Sequence, residues 1–179
     1  DLLFLPAVSE MYPEGIMGKP EYDLGDMETL LEGKFRPGHF QGVCQVVHQL
    51  LAQVNPHDLF LGQKDYQQCM VIDRLMQQTG FKETVKLHIC PTLRETDGLA
   101  MSSRNRRLND SDRKKAASIF RTLSYLKQQL HTGSLDALLQ TASDQLEQEG
   151  FRTDYLVVAD AASLQPVSTW DGSQKLVAL

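Results

Sequence analysis

Leu59-Phe60-Leu61-Gly62-Gln63-Lys64-Asp65-Tyr66-Gln67-Gln68 sets the reading of this chain. The apolar run Leu59–Leu61 is too short for a helix and has the look of a buried strand. Gly62 ends it and opens a turn. A helical pattern runs from Tyr66 to Gln78 and stops at Gly80. Val85 to Cys90 is a second short apolar run, closed by Pro91. Strand, helix, strand is the order of a parallel pair joined by a crossover helix.

Moving outward, Phe40, Val43, Val46, Val47, Leu50, Leu51 and Val54 share one helical face, which predicts a helix from His39 to Val54 ending before Pro56. Asp1 leads into a strand-like run, Leu2–Leu5. Pro6 to Gly38 reads as loops with a short helix near Met27–Leu31. The second half differs. Thr92 to Asn109 is a polar loop containing the turn dipeptide Asp97-Gly98. A helix follows from about Asp110 to His131, with Ile119, Phe120, Leu123, Leu126 and Leu130 as its apolar face. Gly133 breaks it. Ser134 is placed to cap a helix running to Glu149, with Leu135, Leu138, Leu139, Ala142 and Leu146 inward and Gly150 at its end. Tyr155–Val158 and Lys175–Leu179 read as strands. The expected class is α/β, with a parallel sheet in residues 1–90 and a smaller α+β domain with a short antiparallel sheet in 91–179.

Composition narrows the function. The chain has 179 residues and no apolar stretch of the roughly 18 residues that a membrane helix needs. Cys44, Cys69 and Cys90 are too scattered for a disulfide framework and read as core residues of a cytoplasmic protein. Net charge is −5, yet residues 101–115 carry Arg104, Arg106, Arg107, Arg113, Lys114 and Lys115 against Asp110 and Asp112. An acidic chain with one basic stretch fits a small polyanion better than nucleic acid, although on charge alone a solvated helix start is the preferred reading. The five histidines are dispersed without a metal-ligand spacing, so no protein-held metal is expected.

In parallel sheets ligands gather at the carboxyl ends of strands, which singles out Gly62–Asp65 and Pro91–Arg104. Lys64 is a compact cation suited to phosphate, Asp65 suits ribose hydroxyls, and Gln68 lies one turn into the helix. On spacing alone an ordinary strand–helix turn with a surface lysine is the preferred reading, because a single Gly-x-Lys is a weak motif. In Asp97-Gly98-Leu99-Ala100-Met101-Ser102-Ser103-Arg104-Asn105, two hydroxyls and a guanidinium could wrap a triphosphate; a polar linker capping the next helix is the other reading. Arg36 and His39, in Phe35-Arg36-Pro37-Gly38-His39-Phe40, precede the long helix, where an anion is favoured, although capping or packing is the preferred reading of these residues alone.

Taken together, Arg36–Phe40, Gly62–Gln68 and Asp97–Asn105, in this order and spacing, resemble the pantoate–β-alanine ligases, and the likeness extends over nearly all of the chain. The resemblance implies a partial Rossmann-like, class I synthetase-type nucleotide domain followed by a smaller domain. It implies an ATP- and Mg2+-dependent ligase that joins pantoate to β-alanine through a pantoyl adenylate. It places Gly62, Gln63, Lys64, Asp65, Leu93, Met101, Ser102, Ser103 and Arg104 on ATP, with Lys64 and Arg104 stabilising phosphate charge, and Gln68, Arg36 and His39 on pantoate. Gln63 stands where the family usually has Glu. The family's Pro-Thr-Met-Gly loop and His-x-Gly-His signature are not found. The ends read as cuts through structure, so we expect a C-terminal portion of a longer protein, inactive alone, that self-associates through an incomplete sheet. The rival readings are another adenylate-forming nucleotidyltransferase of the same fold and a non-catalytic binding module.

Overall fold

In the computed structural model, which describes residues 2–15 and 20–179, the apolar runs around Lys64 pair as expected. Strands β1 (Asp58–Gly62) and β2 (Lys86–Cys90) lie parallel, in register from Asp58 opposite Lys86 to Gly62 opposite Cys90. The crossover between them is the helix at Tyr66–Thr79, which follows a 3-10 turn, Gln63–Asp65. Upstream stand two single-turn helices, Val8–Met11 and Glu32–Phe35, and the long helix His39–Val54. In chain order these four helices are α1, α2, α3 (His39–Val54) and α4 (Tyr66–Thr79).

Strand β1 alternates: Leu59 and Leu61 turn inward, while Asp58, Phe60 and Gly62 are exposed. The inward residues pack with Leu51 of α3, Ile72 and Met76 of α4, and Val85. Each of these buried side chains contributes roughly 2 kcal/mol by leaving water. A second cluster joins Tyr22, Leu24, Phe40, Cys44, Val71 and Leu75, carrying the irregular segment before α2 onto the two helices. Gln67 is buried and fastens that segment. Its Nε2 donates to the carbonyls of Met27 and Leu30, and its Oε1 accepts from the Glu32 N–H. A buried amide left unpaired would be costly, and this one is fully used.

The outer face of the parallel pair is open. Phe60 is 65% exposed and stacks on its cross-strand neighbour His88, which also bonds Asp58. The strand expected at Leu2–Leu5 does not form: Leu2, Leu3 and Leu5 are among the most exposed apolar side chains. A strand is held by a ladder partner and a buried face, and this segment meets neither among the described residues. Asp1, which leads into it, lies outside them. The short helix expected near Met27–Leu31 resolves into a 3-10 turn at Gly25–Glu28 and α2.

The second half builds on α5 (Asp110–Gln129), capped by Asn109, whose side chain accepts from the Asp112 N–H. After it come β3 (Gly133–Ser134), α6 (Asp136–Gln148), β4 (Val158–Asp160), β5 (Thr169–Trp170) and β6 (Leu176–Ala178). Strands β4 and β6 pair antiparallel, as do β3 and β5. The pair β3–β5 was not legible, and β4 starts at Val158 where a strand from Tyr155 was expected. Ser134 bonds the Asp136 N–H but stands one residue before the cap position, which Leu135 occupies. The core here joins Leu126, Leu138 and Ala142 with Leu156 and Ala178.

One expectation needs rotating. On α5 the buried residues are Ala117, Ser118, Thr122 and Leu126, whereas Ile119 is 44% exposed. The stripe Ile119, Phe120 and Leu123 lines a cleft instead of the core. Among the described residues the contacts between the halves include two hydrogen bonds and a ring stack. The Tyr66 hydroxyl donates to the Ala161 carbonyl at 2.8 Å, Gln165 bonds Asp26 at 2.7 Å, and Phe35 stacks on Tyr155.

Candidate functional site

Because Gly62 sits opposite Cys90 in the ladder, the segments leaving β1 and β2 depart from the same edge of the sheet. The first is short. It passes through the 3-10 turn, where Lys64 Nζ lies 3.2 Å from Asp65 Oδ1, and enters α4, where the Cys69 thiol donates to the Gly62 carbonyl. Burial pushes the Cys69 thiol up to about 11 and the Cys44 thiol up to about 12, so both behave as core groups and not as nucleophiles.

The second segment doubles back on itself. The Met101 N–H donates to the Leu93 carbonyl, the Glu95 N–H to the Leu99 carbonyl, and Arg94 bridges Ala100. At its tip Gly98 has φ +91°, and a Cβ there would stand 2.1 Å from the Phe120 ring. Arg94 lies 4.2 Å over the same ring and donates to the Gly98 carbonyl. Asp97 pairs with Arg113 of α5, and this bond, with the Leu99 N–H, holds the Asp97 carboxyl below its ordinary range. Ser102 then caps a 3-10 turn, Ser103–Arg107, by accepting from the Arg104 N–H, and Asn105 donates to the Ala100 carbonyl.

Between these segments, α5 and the end of the chain lies a cleft of about 720 Å³. Of the residues expected at a site, Gln63 and Lys64 line it. Ala100 and Asn105 also line it, and they bracket Met101–Arg104. Met101, Ser103 and Arg104 are exposed and Ser102 is half-buried; these four stand beside the lining and not in it. Gly62, Asp65 and Leu93 are likewise exposed and off the lining, and Leu93 spends its carbonyl on Met101. Gln68 is half-buried on α4, away from the lining.

Arg36 and His39 are not on the cleft wall as expected. Arg36 pairs with Glu32, and His39 Nε2 lies 3.8 Å from the same carboxylate. That carboxylate, one turn back along the chain, neutralises the cation that an anion would need. A link to the cleft runs through Phe35, which stacks on the cleft residue Tyr155 at 5.8 Å. Burial raises the phenols of Tyr66 and Tyr155, keeping both protonated.

The lining includes residues that the sequence did not single out: Tyr66, Arg94, Phe120, Arg152, Thr153 and Tyr155. Arg94 carried one available signal, standing just ahead of the Asp97-Gly98 turn. Arg152 and Thr153 carried none, since only folding brings them to the same cleft as Lys64. The charged side chains on the cleft wall are of one sign. Lys64, Arg94 and Arg152 line it, and among the described residues no Asp or Glu does, in a chain whose net charge is −5. Low-dielectric walls with one sign of charge concentrate an anion.

A sequence model described as Pantoate-beta-alanine ligase matches residues 1–179. The chain is 41% identical to the pantothenate synthetase of Thermus thermophilus, covering 99% of this chain and 64% of that protein. It is 37% identical to the pantothenate synthetase of Bacteroides fragilis, covering 97% and 61%. The chain therefore spans under two thirds of the length of these relatives. A crystal structure of the Thermus enzyme superposes with a TM-score of 0.87 at 40% identity, over 99% of this chain and 64% of that one. A pantoate-beta-alanine ligase from Francisella tularensis, solved with β-γ ATP and β-alanine, superposes with a TM-score of 0.65 at 33% identity, over 83% and 52%.

Proposed function

This chain belongs to the pantoate-beta-alanine ligase family, and from that premise we propose that its cleft serves the ATP-dependent joining of pantoate to β-alanine. In the proposed reaction a pantoate carboxylate oxygen attacks the α-phosphorus of ATP and the bond to the β-phosphate breaks, releasing pyrophosphate. The β-alanine amine then displaces AMP. The observation that carries the reading is the cleft at the carboxyl ends of a parallel pair, lined by three cations and no carboxylate side chain among the described residues.

Negative charge gathers on the phosphorus centre and on the departing pyrophosphate. Fixed cations stabilise it without reorganising at the moment of reaction. Lys64 takes the phosphate chain, Gly62 and Gln63 contact the ATP beside it, and Asp65 takes the ribose hydroxyls. Leu93 meets the nucleotide through its backbone, and Met101, Ser102, Ser103 and Arg104 close over the phosphates from the second segment, whose tip is tied to α5. We propose Gln68 for pantoate; Arg36 and His39 would join it only where their pairing with Glu32 opens. Magnesium enters with the nucleotide. Among the described residues no three His, Cys, Asp or Glu gather to hold it, so we assign it no protein ligand. We propose a division into 1–90 and 91–179, supported by two core clusters in the first part and one in the second, and the cytoplasm as the location.

The test is titration of the chain with ATP, using Lys64→Ala as control. Lys64→Ala should weaken ATP about tenfold, or roughly 1.4 kcal/mol, while leaving the melting temperature within a degree or two. Equal affinity in the two proteins would remove Lys64 from the phosphate site. We also propose that these 179 residues alone do not complete turnover, since the sequence holds no His-x-Gly-His; pantothenate formed from pantoate, β-alanine and MgATP would refute that. The open face at Phe60 and the exposed Leu2–Leu5 support self-association, read by light scattering as a mass that rises with concentration.

A further inference from the structure

The three cations of the cleft are not equivalent. Lys64 shares its charge with Asp65 at 3.2 Å. Arg94 is spent on the Phe120 ring and the Gly98 carbonyl. Arg152 lines the same space, and among the described residues it has no ion-pair or hydrogen-bond partner. Asp154, two residues on, is exposed and off the lining, and Glu149, three residues before, pairs with Arg121.

Beside Arg152 stands the one buried side-chain polar atom that goes unpaired among the described residues, the Thr153 hydroxyl. A buried hydroxyl without a partner is destabilising, and native structures keep few of them. The backbone here is not loose. Where α6 ends, the Gly150 N–H donates to the Glu147 carbonyl and the Phe151 N–H reaches the Leu146 carbonyl, a closed helix terminus that sets where Arg152 and Thr153 emerge.

We propose that Arg152 and Thr153 form a second wall of the anion site, with the Arg152 guanidinium bonding the phosphate chain of the nucleotide and the Thr153 hydroxyl bonding the same ligand. The assignment of that anion to ATP rests on the function proposed above; the anion site itself rests on the geometry. Guanidinium and lysine lining one cleft suit an extended polyphosphate, because the planar fork binds two oxygens while the ammonium takes a third.

The test uses the 179-residue chain with three probes, ATP, inorganic tripolyphosphate and adenosine, followed by calorimetric titration. Arg152→Gln should weaken both ATP and tripolyphosphate about tenfold and leave adenosine unchanged, and Arg152→Lys should recover part of the loss. Thr153→Val should weaken both polyphosphates about threefold while the ligand-free chain melts at the same temperature or higher. A merely structural role for the hydroxyl would not give that combination. Unchanged polyphosphate affinity in Arg152→Gln, with ATP weakened by Lys64→Ala, overturns this proposal and leaves the proposed function standing. Tripolyphosphate binding lost in Arg152→Gln, with ATP no tighter than tripolyphosphate in the parent chain, supports the anion wall and counts against the nucleotide. A parent chain that binds neither polyphosphate overturns the wall itself.

Discussion

The two segments that leave the carboxyl edge of the β1–β2 pair face one cleft, yet they are held in different ways. Gly62–Asp65 spans a few residues between a strand and a helix, and those elements fix both its ends. Among the described residues its own side-chain ties are two, the Cys69 thiol on Gly62 and the Lys64–Asp65 contact. The segment from Thr92 to Asn105 is long enough to wander. It is folded on itself through Leu93–Met101 and Glu95–Leu99 and then fastened to α5 by Arg94 on Phe120 and Asp97 on Arg113. Loop length therefore sets where the stabilising side chains must be. A short turn inherits its position from its neighbours, and a long one must be tied.

The two glycines break this comparison most sharply. Gly98→Ala should destabilise the chain by roughly 2–3 kcal/mol in urea unfolding, because its φ is +91° and the new methyl would meet the Phe120 ring. A loss below about 1 kcal/mol would mean that the long segment is not seated on α5.

A pH series sharpens it next. The Asp97 carboxyl is held below its ordinary value of 3.8 by Arg113 and the Leu99 N–H. Its contribution is therefore fully present above that value and is lost as pH falls below it, through the folded-state pKa. Asp97→Asn should flatten the stability profile in that acid window and leave the profile above about pH 5 parallel to the parent. Urea midpoints measured from about pH 2.5 to 6 decide it. The pair is exposed, so the effect should be small and should shrink in salt.

The smallest effect belongs to Gly62→Ala. The backbone there is extended and a Cβ meets nothing within 4 Å, so stability should stay within about 0.5 kcal/mol. If ATP weakens all the same, the turn is read by the ligand and not by the fold.

Much of this architecture was legible along the chain. The apolar face from Phe40 to Val54 predicted α3 with its observed ends, and the short runs flanking Gly62 and Pro91 predicted the parallel pair. Lys64 and the Ala100–Asn105 region were legible as cleft candidates because ligands collect at the carboxyl ends of such strands. The placement of Arg36 and His39 was not, because their shared partner Glu32 comes from the turn before them and local spacing does not show that it bends back. Nor was the run Leu2–Leu5, since strand propensity becomes a strand only against a partner.

The sequence by itself determined the periods, the breaks and the chemistry in reach: where α3 and α4 run, where glycine and proline stop them, and which segments carry cations. Tertiary structure alone decided which apolar surfaces are covered and which residues from distant segments share a wall. Ile119, Phe120 and Leu123 make an apolar stripe that period alone assigns to the core, yet they line the cleft, while Ala117, Ser118 and Leu126 are buried off its lining. Arg152 comes to share a cleft with Lys64 only after α5 and α6 pack and the Tyr66 hydroxyl reaches Ala161. The reason is range: backbone geometry repeats over a few residues and is written locally, whereas burial and charge are set by whatever the folded chain brings within a few ångströms.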